Sequence, residues 1–156
     1  MKLDLLKECK NAKRIGISGH IRPDGDCVGA VLALQQYLQK CMPDAEIKVY
    51  LEQPPEIFRE LKGYEEICSE FPEQPPFDVY FALDCGAERL GEAEKYFRSA
   101  EKKINIDHHV SNTGTGDINL VEPQIGSTCE VLYDLFDGEK LDREIAKALY
   151  IGIIHD

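Results

Sequence analysis

A chain of 156 residues, 43% hydrophobic and 30% charged, has the size and composition of one globular domain with its own core, and no apolar run approaches the roughly 18 residues that cross a bilayer. With 18 basic against 29 acidic residues, the net charge of −11 disfavours a long nucleic-acid strand gripped along its backbone; a small anionic ligand bound through divalent cations fits better. Six dispersed cysteines with no C-x-x-C pair exclude a zinc ribbon and a dithiol redox motif, and they read as reduced thiols of a cytoplasmic protein.

The opening segment mixes charge with scattered leucines, lacks the continuous apolar stretch of a secretory signal, and reads as a first helix. Residues 14–19 form a short β-like run that enters the polar loop His20-Ile21-Arg22-Pro23-Asp24-Gly25-Asp26. Val28, Val31, Leu32 and Leu38 then recur at helical spacing to about Lys40. A second strand is expected over 46–51, followed by a break at Pro54-Pro55 and a short helix over 56–62 ending at Gly63. After a proline-rich stretch, 77–83 reads as a buried strand ending at Asp84, 88–100 as helix, and 103–106 as a strand running into Asp107. Residues 117–121 supply a last strand. Ser127-Thr128-Cys129-Glu130 has the form of a capping box opening a helix to about Phe136, and Asp142 caps a final helix. That helix reaches Asp156 with no Gly, Asn or Pro to end it, so the sequence reads as a domain cut from a longer protein. Strands alternating with helices predict an α/β fold, with a mostly parallel five-stranded sheet and helices on both faces.

Acidic and imidazole residues gather at the ends of these elements: His20, Asp24 and Asp26, then Asp84, then Asp107, His108 and His109, then Asp156. Ligands of parallel α/β sheets bind beyond the carboxyl ends of the strands, so three of these clusters are expected on one edge. Asp24-Gly25-Asp26 suits one carboxylate per metal, with Gly25 allowing the bend between them. Carboxylates with two imidazoles and no thiolate favour Mn2+, with Mg2+ or Fe2+ compatible and zinc less suited. Two such ions can generate a bridging hydroxide and stabilise both oxygens of a phosphoryl displacement. A magnesium-dependent phosphotransferase of the haloacid dehalogenase type, with Asp24 or Asp84 as nucleophile, uses similar residues and stays open at this level.

Four ordered segments carry a resemblance: GHIRPDGDCVGA, FALDCG, IDHHVSN and ALYIGIIHD. Together they resemble the catalytic N-terminal domain of the DHH phosphoesterase family, a Rossmann-like α/β domain, nearest its nanoRNase and 3′-phosphoadenosine 5′-phosphate phosphatase branch. The resemblance implies one metal held by His20, Asp24 and Asp84, and a second by Asp26, Asp84, His108 and Asp156, with Asp84 bridging. Asp107 would then orient an imidazole, His109 would face the scissile phosphate as donor or general acid, and Asn112 would brace the loop or touch substrate. It also implies hydrolysis of short RNA or a small phosphorylated nucleotide, and a C-terminal substrate-binding domain that these 156 residues do not contain. A homodimer is compatible with it. Pyrophosphatase and cyclic dinucleotide phosphodiesterase activities belong to the same class, and a non-catalytic nucleotide-sensing domain is the alternative of another class. Two departures stand out: Thr115 replaces a frequent aromatic residue, and Cys27 a frequent serine. His155 is expected on the helix surface or behind a ligand.

Overall fold

The computed structural model describes residues 3–155. Its elements follow in the order α1 (Leu5–Glu8), β1 (Arg14–Ser18), α2 (Gly25–Cys41), β2 (Glu46–Val49), β3 (Val79–Leu83), α3 (Glu94–Ser99), β4 (Lys102–Asp107), β5 (Ile118–Val121), α4 (Thr128–Leu135) and α5 (Arg143–Ile154). The five strands form one sheet in the order β2-β1-β3-β4-β5, and every neighbouring pair is parallel. The expected α/β class, strand number and strand direction all stand.

Burial on both faces explains the composition of the strands. Ile15, Ile17, Val79, Phe81, Leu83, Ile104 and Ile106 point into a core shared with α2, α4 and α5. Alternate residues of β3, Tyr80 and Ala82, enter a second, aromatic core with Tyr50, Phe77, Tyr96 and Phe97. Helix α2 is apolar on nearly every side because it lies between the sheet and α5, and its residues from Gly25 to Leu38 are buried. Asp24, Ser127 and Asp142 cap α2, α4 and α5, each accepting from a backbone N–H three residues on. In the capping box, Glu130 reaches the Gly126 N–H at 3.4 Å rather than that of Ser127.

Three expected helices shrink. Residues 88–100 split into two 3-10 turns, Ala87–Arg89 and Gly91–Ala93, and the six-residue α3. Gly91 breaks the helix, since its φ of 65° lies in the left-handed region. Over 56–62 only the turn Glu56–Phe58 is 3-10 helical, with no side-chain cap at Pro55. At the amino end, four residues are helical. In each case packing and backbone conformation overrode a weak propensity.

Strand order positions the site. From β1 the chain moves to β2 on one side, while β3 and β4 lie on the other. The loops leaving β1 and β3 therefore diverge, and the crevice between them opens at the carboxyl ends of the strands.

Candidate metal centre

His20, Asp84 and Asp107 stand at the carboxyl ends of β1, β3 and β4 or just beyond them, and Asp24 and Asp26 at the start of α2. Asp26, Asp84 and Asp107 are each no more than 1% exposed, so three carboxylates are buried in one neighbourhood. Burial of that much like charge demands compensating donors or cations.

Asp84 lies at the centre. One of its oxygens, Oδ2, is 3.2 Å from His20 Nε2, and the other, Oδ1, is 3.6 Å from His108 Nε2. His20 Nε2 is also 3.6 Å from Asp24 Oδ1, and His108 Nε2 is 3.5 Å from Asp26 Oδ2. The structure thus brings together His20, Asp24, Asp26, Asp84 and His108, with Asp84 between the two imidazoles. Backbone geometry takes part: Asp84 has φ 66°, left-handed for a non-glycine residue, and its N–H is held by the Ile106 carbonyl at 2.9 Å. Asp156 lies outside the described residues.

Both imidazoles turn Nε2 toward Asp84. His20 Nδ1 lies 2.7 Å from the Ile21 carbonyl and His108 Nδ1 3.2 Å from the Ile125 carbonyl. A carbonyl only accepts, so Nδ1 carries a hydrogen and Nε2 is the nitrogen turned toward the carboxylates, donating to them when the ring is protonated and offering its lone pair to a cation when it is not. Donor atoms of Asp84, Asp107, His108 and His109 fall within 4.8 Å of one another. The donor set fits hard or borderline divalent cations. Cys27 Sγ comes equally close to His20 and Asp84, but it hydrogen-bonds to the His20 carbonyl, and burial pushes its thiol well up, so it stays protonated.

Around His108 and His109 a second layer fixes the loop. Asp107 Oδ1 accepts from the His108 N–H at 2.7 Å and from His109 Nδ1 at 2.7 Å, and Asp107 Oδ2 accepts from Asn112 Nδ2 at 2.9 Å. Asn112 Nδ2 also donates to Asn105 Oδ1 at 3.0 Å, so Asn112 sits in the loop's scaffold. Asn105 was not singled out in the sequence. It is fully buried, donates to the carbonyls of Ala82 and Cys85 at 3.0 and 2.8 Å, and accepts from Asn112 and Thr115. An asparagine inside a strand buried on both faces was the available signal, because such a residue must find partners. Thr115 also has a part that an aromatic residue could not play: its hydroxyl donates to Asn105 and accepts from the Ala87 N–H at 3.1 Å, joining the loops after β3 and β4. Thr128, read only as part of a capping box, donates its hydroxyl to Asp84 Oδ1 at 2.9 Å.

Gly25 serves a purpose other than the expected bend. A Cβ there would lie 2.3 Å from His155 Cβ, so its bareness lets the end of α5 close over the start of α2. His155 packs edge-on against Phe58 with ring centroids 5.6 Å apart.

Charge crowding shifts the acids and bases. Burial and the neighbouring Asp84 charge push the Asp26 carboxyl up from 3.8 to about 8, against the pull of the Thr128 and Cys129 N–H groups. Burial alone would lower His20, but hydrogen bonds with Asp24 and Asp84 outweigh it and raise the imidazole from 6.5 to about 10. Both folded values lie above the unfolded ones. The native state therefore binds extra protons: the stability Asp26 contributes is complete below pH 3.8 and gone above about 8, and that of His20 is lost between 6.5 and about 10. The metal-free chain is expected to melt on the order of 10 °C lower at pH 8 than at pH 5, and divalent cations should flatten the profile. Calorimetric melting with and without chelator across that range checks it; a metal-free melting point that rises with pH would contradict it.

A family model described as the DHH family, N-terminal domain, matches residues 14–153. The chain belongs to the DHH family. It is 32% identical over 146 residues to the bifunctional oligoribonuclease and PAP phosphatase NrnA of Thermus thermophilus, covering 91% of this chain and 43% of that protein. The Bacillus subtilis protein of the same name is 27% identical over 165 residues, 100% of this chain and 50% of its own. Among solved structures, an exopolyphosphatase-related protein from Bacteroides fragilis superposes with a TM-score of 0.84 at 25% identity, covering 96% of this chain and 48% of its own. A putative family II inorganic pyrophosphatase from Methanococcus jannaschii shares the fold, with a TM-score of 0.55 at 19% identity over 90% of this chain and 47% of its own. This DHH domain spans about half the length of the relatives it matches. Among the described residues, no helix is long and apolar enough to cross a membrane.

Proposed function

We propose that this chain is the catalytic half of a divalent-metal-dependent phosphoesterase that hydrolyses short oligoribonucleotides and 3′-phosphoadenosine 5′-phosphate. One observation carries the reading: the Nε2 atoms of His20 and His108 approach opposite oxygens of a single buried carboxylate, Asp84. The two NrnA relatives, named for oligoribonuclease and PAP phosphatase activities, support the substrate class. The proposed ligands are His20, Asp24 and Asp84 for one ion, and Asp26, Asp84, His108 and Asp156 for the other. When bound, the two ions would supply an acidified water and a positive field for charge developing on the phosphoryl oxygens. Manganese suits this oxygen-rich donor set, with magnesium as the second choice.

The chain's own residues do the positioning. The Ile21 and Ile125 carbonyls set the tautomers of His20 and His108, and the start of α4 holds Asp26 and Asp84. Asp107 accepts from His109 Nδ1 and so leaves Nε2 as the atom that meets a substrate phosphate or leaving oxygen. The His109 side chain, at 43% exposure, is the part of the triplet open to an incoming ligand, while that of His108 stays at 12%. Asn112 ties this loop to Asn105 and Asp107. The products would be a nucleoside phosphate or free phosphate.

The test assays this chain beside a version extended to the length of its relatives, each with Mn2+. Substrates are a triribonucleotide, 3′-phosphoadenosine 5′-phosphate, pyrophosphate and a cyclic dinucleotide. Release of mononucleotide or phosphate from the first two, abolished by chelator and restored by Mn2+, is the expected result. Nucleotide binding without turnover in the extended protein would make this a sensing domain. Turnover of pyrophosphate or the cyclic dinucleotide alone would reassign the substrate.

A further inference from the structure

We infer that Thr128 is a positioning residue, whose hydroxyl fixes the plane of the Asp84 carboxylate so that the His108 side of the centre can hold its cation. The inference rests on the two-metal reading above.

Thr128 is fully buried and touches both central carboxylates, which arrive from different loops. Its hydroxyl donates to Asp84 Oδ1 at 2.9 Å, and its backbone N–H donates to Asp26 Oδ2 at 2.8 Å. The next N–H, that of Cys129, donates to Asp26 Oδ1 at 3.0 Å. One helix end thus sets the separation of two acids that repel each other, and its positive pole lowers the cost of keeping them together.

Helix α4 can act as a reference because it is anchored at both ends. At its start the Cys129 thiol reaches the Asp26 carbonyl at 3.7 Å. Beyond its last turn Phe136 stacks on Tyr37 of α2, with centroids 4.0 Å apart and planes 4° from parallel, and the Asp137 N–H donates to the Tyr37 hydroxyl at 3.0 Å. Neither end can follow Asp84 if that side chain turns.

The distances show why the hydroxyl matters. Asp84 Oδ2 is held by His20 Nε2 at 3.2 Å. Oδ1 has imidazole nitrogens only at 3.6 Å (His108) and 4.0 Å (His109), against 2.9 Å for Thr128. A carboxylate held at one oxygen rotates readily about its last bond, because that torsion is broad and two-fold. Thr128 supplies the second point that defines a plane. Without it, Oδ2 stays engaged beside His20 and Oδ1 loses its direction toward His108.

The experiment follows Mn2+ binding by calorimetry and electron paramagnetic resonance in wild type, Thr128→Val, Thr128→Ala and Thr128→Ser, using the protein extended to its relatives' length. Wild type should bind two ions and show an exchange-coupled spectrum. Thr128→Val keeps the shape and removes the donor: the first ion should bind as in wild type, the second about 10- to 100-fold more weakly, with the coupled signal absent at two equivalents. Its kcat should fall by a similar factor at nearly unchanged KM, and Thr128→Ser should restore both readouts. If the valine variant does not fold, the alanine and serine pair gives the same contrast. Two ions held at wild-type affinity with an unchanged coupled spectrum in the valine or alanine variant overturn the positioning role and leave the two-metal reading standing. A wild-type protein that takes up no Mn2+ overturns both.

Discussion

Asp84→Asn is expected to lower metal-dependent hydrolysis by at least about 10³-fold and to remove the thermal stabilisation that Mn2+ gives the wild type. The substitution keeps the shape of the side chain, so the effect is one of charge and donor type. Asp84 presents one oxygen to the His20 side and the other to the His108 side, and an amide nitrogen on either side cannot ligate a cation. Ligands on both sides are weakened by one change. In the metal-free fold two effects oppose each other: His20 loses the charge of its partner, and Asp26 is relieved of the repulsion that pushes it up. At pH 8 the metal-free variant should therefore melt near the wild-type temperature, while added Mn2+ moves it no further. An asparagine variant that Mn2+ still stabilises as strongly as the wild type would remove Asp84 from the centre.

Asp107→Ala is expected to cost about 3 to 5 kcal/mol of stability and, under conditions where the variant is folded, roughly 10²- to 10⁴-fold in turnover. Its two oxygens accept from the His108 N–H, the His109 N–H, His109 Nδ1 and Asn112 Nδ2, in a place with no exposure. Alanine takes the shared acceptor from those donors, leaves Asn112 Nδ2 with Asn105 Oδ1, and frees the His109 ring. For a domain of this size the loss corresponds to a melting point lower by about 10 to 15 °C. Asp107→Asn should fall between, since it keeps one carbonyl oxygen and adds a donor among donors. Equal stability of the alanine variant and the wild type would show that the loop does not depend on this carboxylate.

How far the chain could be read in advance depended on the kind of interaction involved. Strand positions were legible because β3 is apolar at every residue, and so on both faces, as a covered parallel sheet requires. Acidic and imidazole clusters at strand ends were legible because the edge of an α/β sheet is where such residues converge. The expected helix over 88–100 is shorter in the structure because of a left-handed glycine in its first turn, which leaves only a weak trace in the pattern. Asn105, Thr115 and Thr128 escaped notice as partners because each acts through contacts far along the chain. Asn105 reaches the loop 20 residues before it, and Thr128 reaches a carboxylate 44 residues away.

The sequence by itself determined the α/β class, the parallel sheet and the gathering of acidic and imidazole residues at the strand ends, because burial periodicity and side-chain chemistry are properties of residue type and local order. Only the tertiary structure decided that Asp84 sits between two imidazoles, that each of those rings turns Nε2 inward, and that the start of α4 clamps the carboxylates from behind. Those are facts of distance and direction between loops that meet only when the sheet is assembled, and no pattern along a chain encodes which oxygen faces which nitrogen.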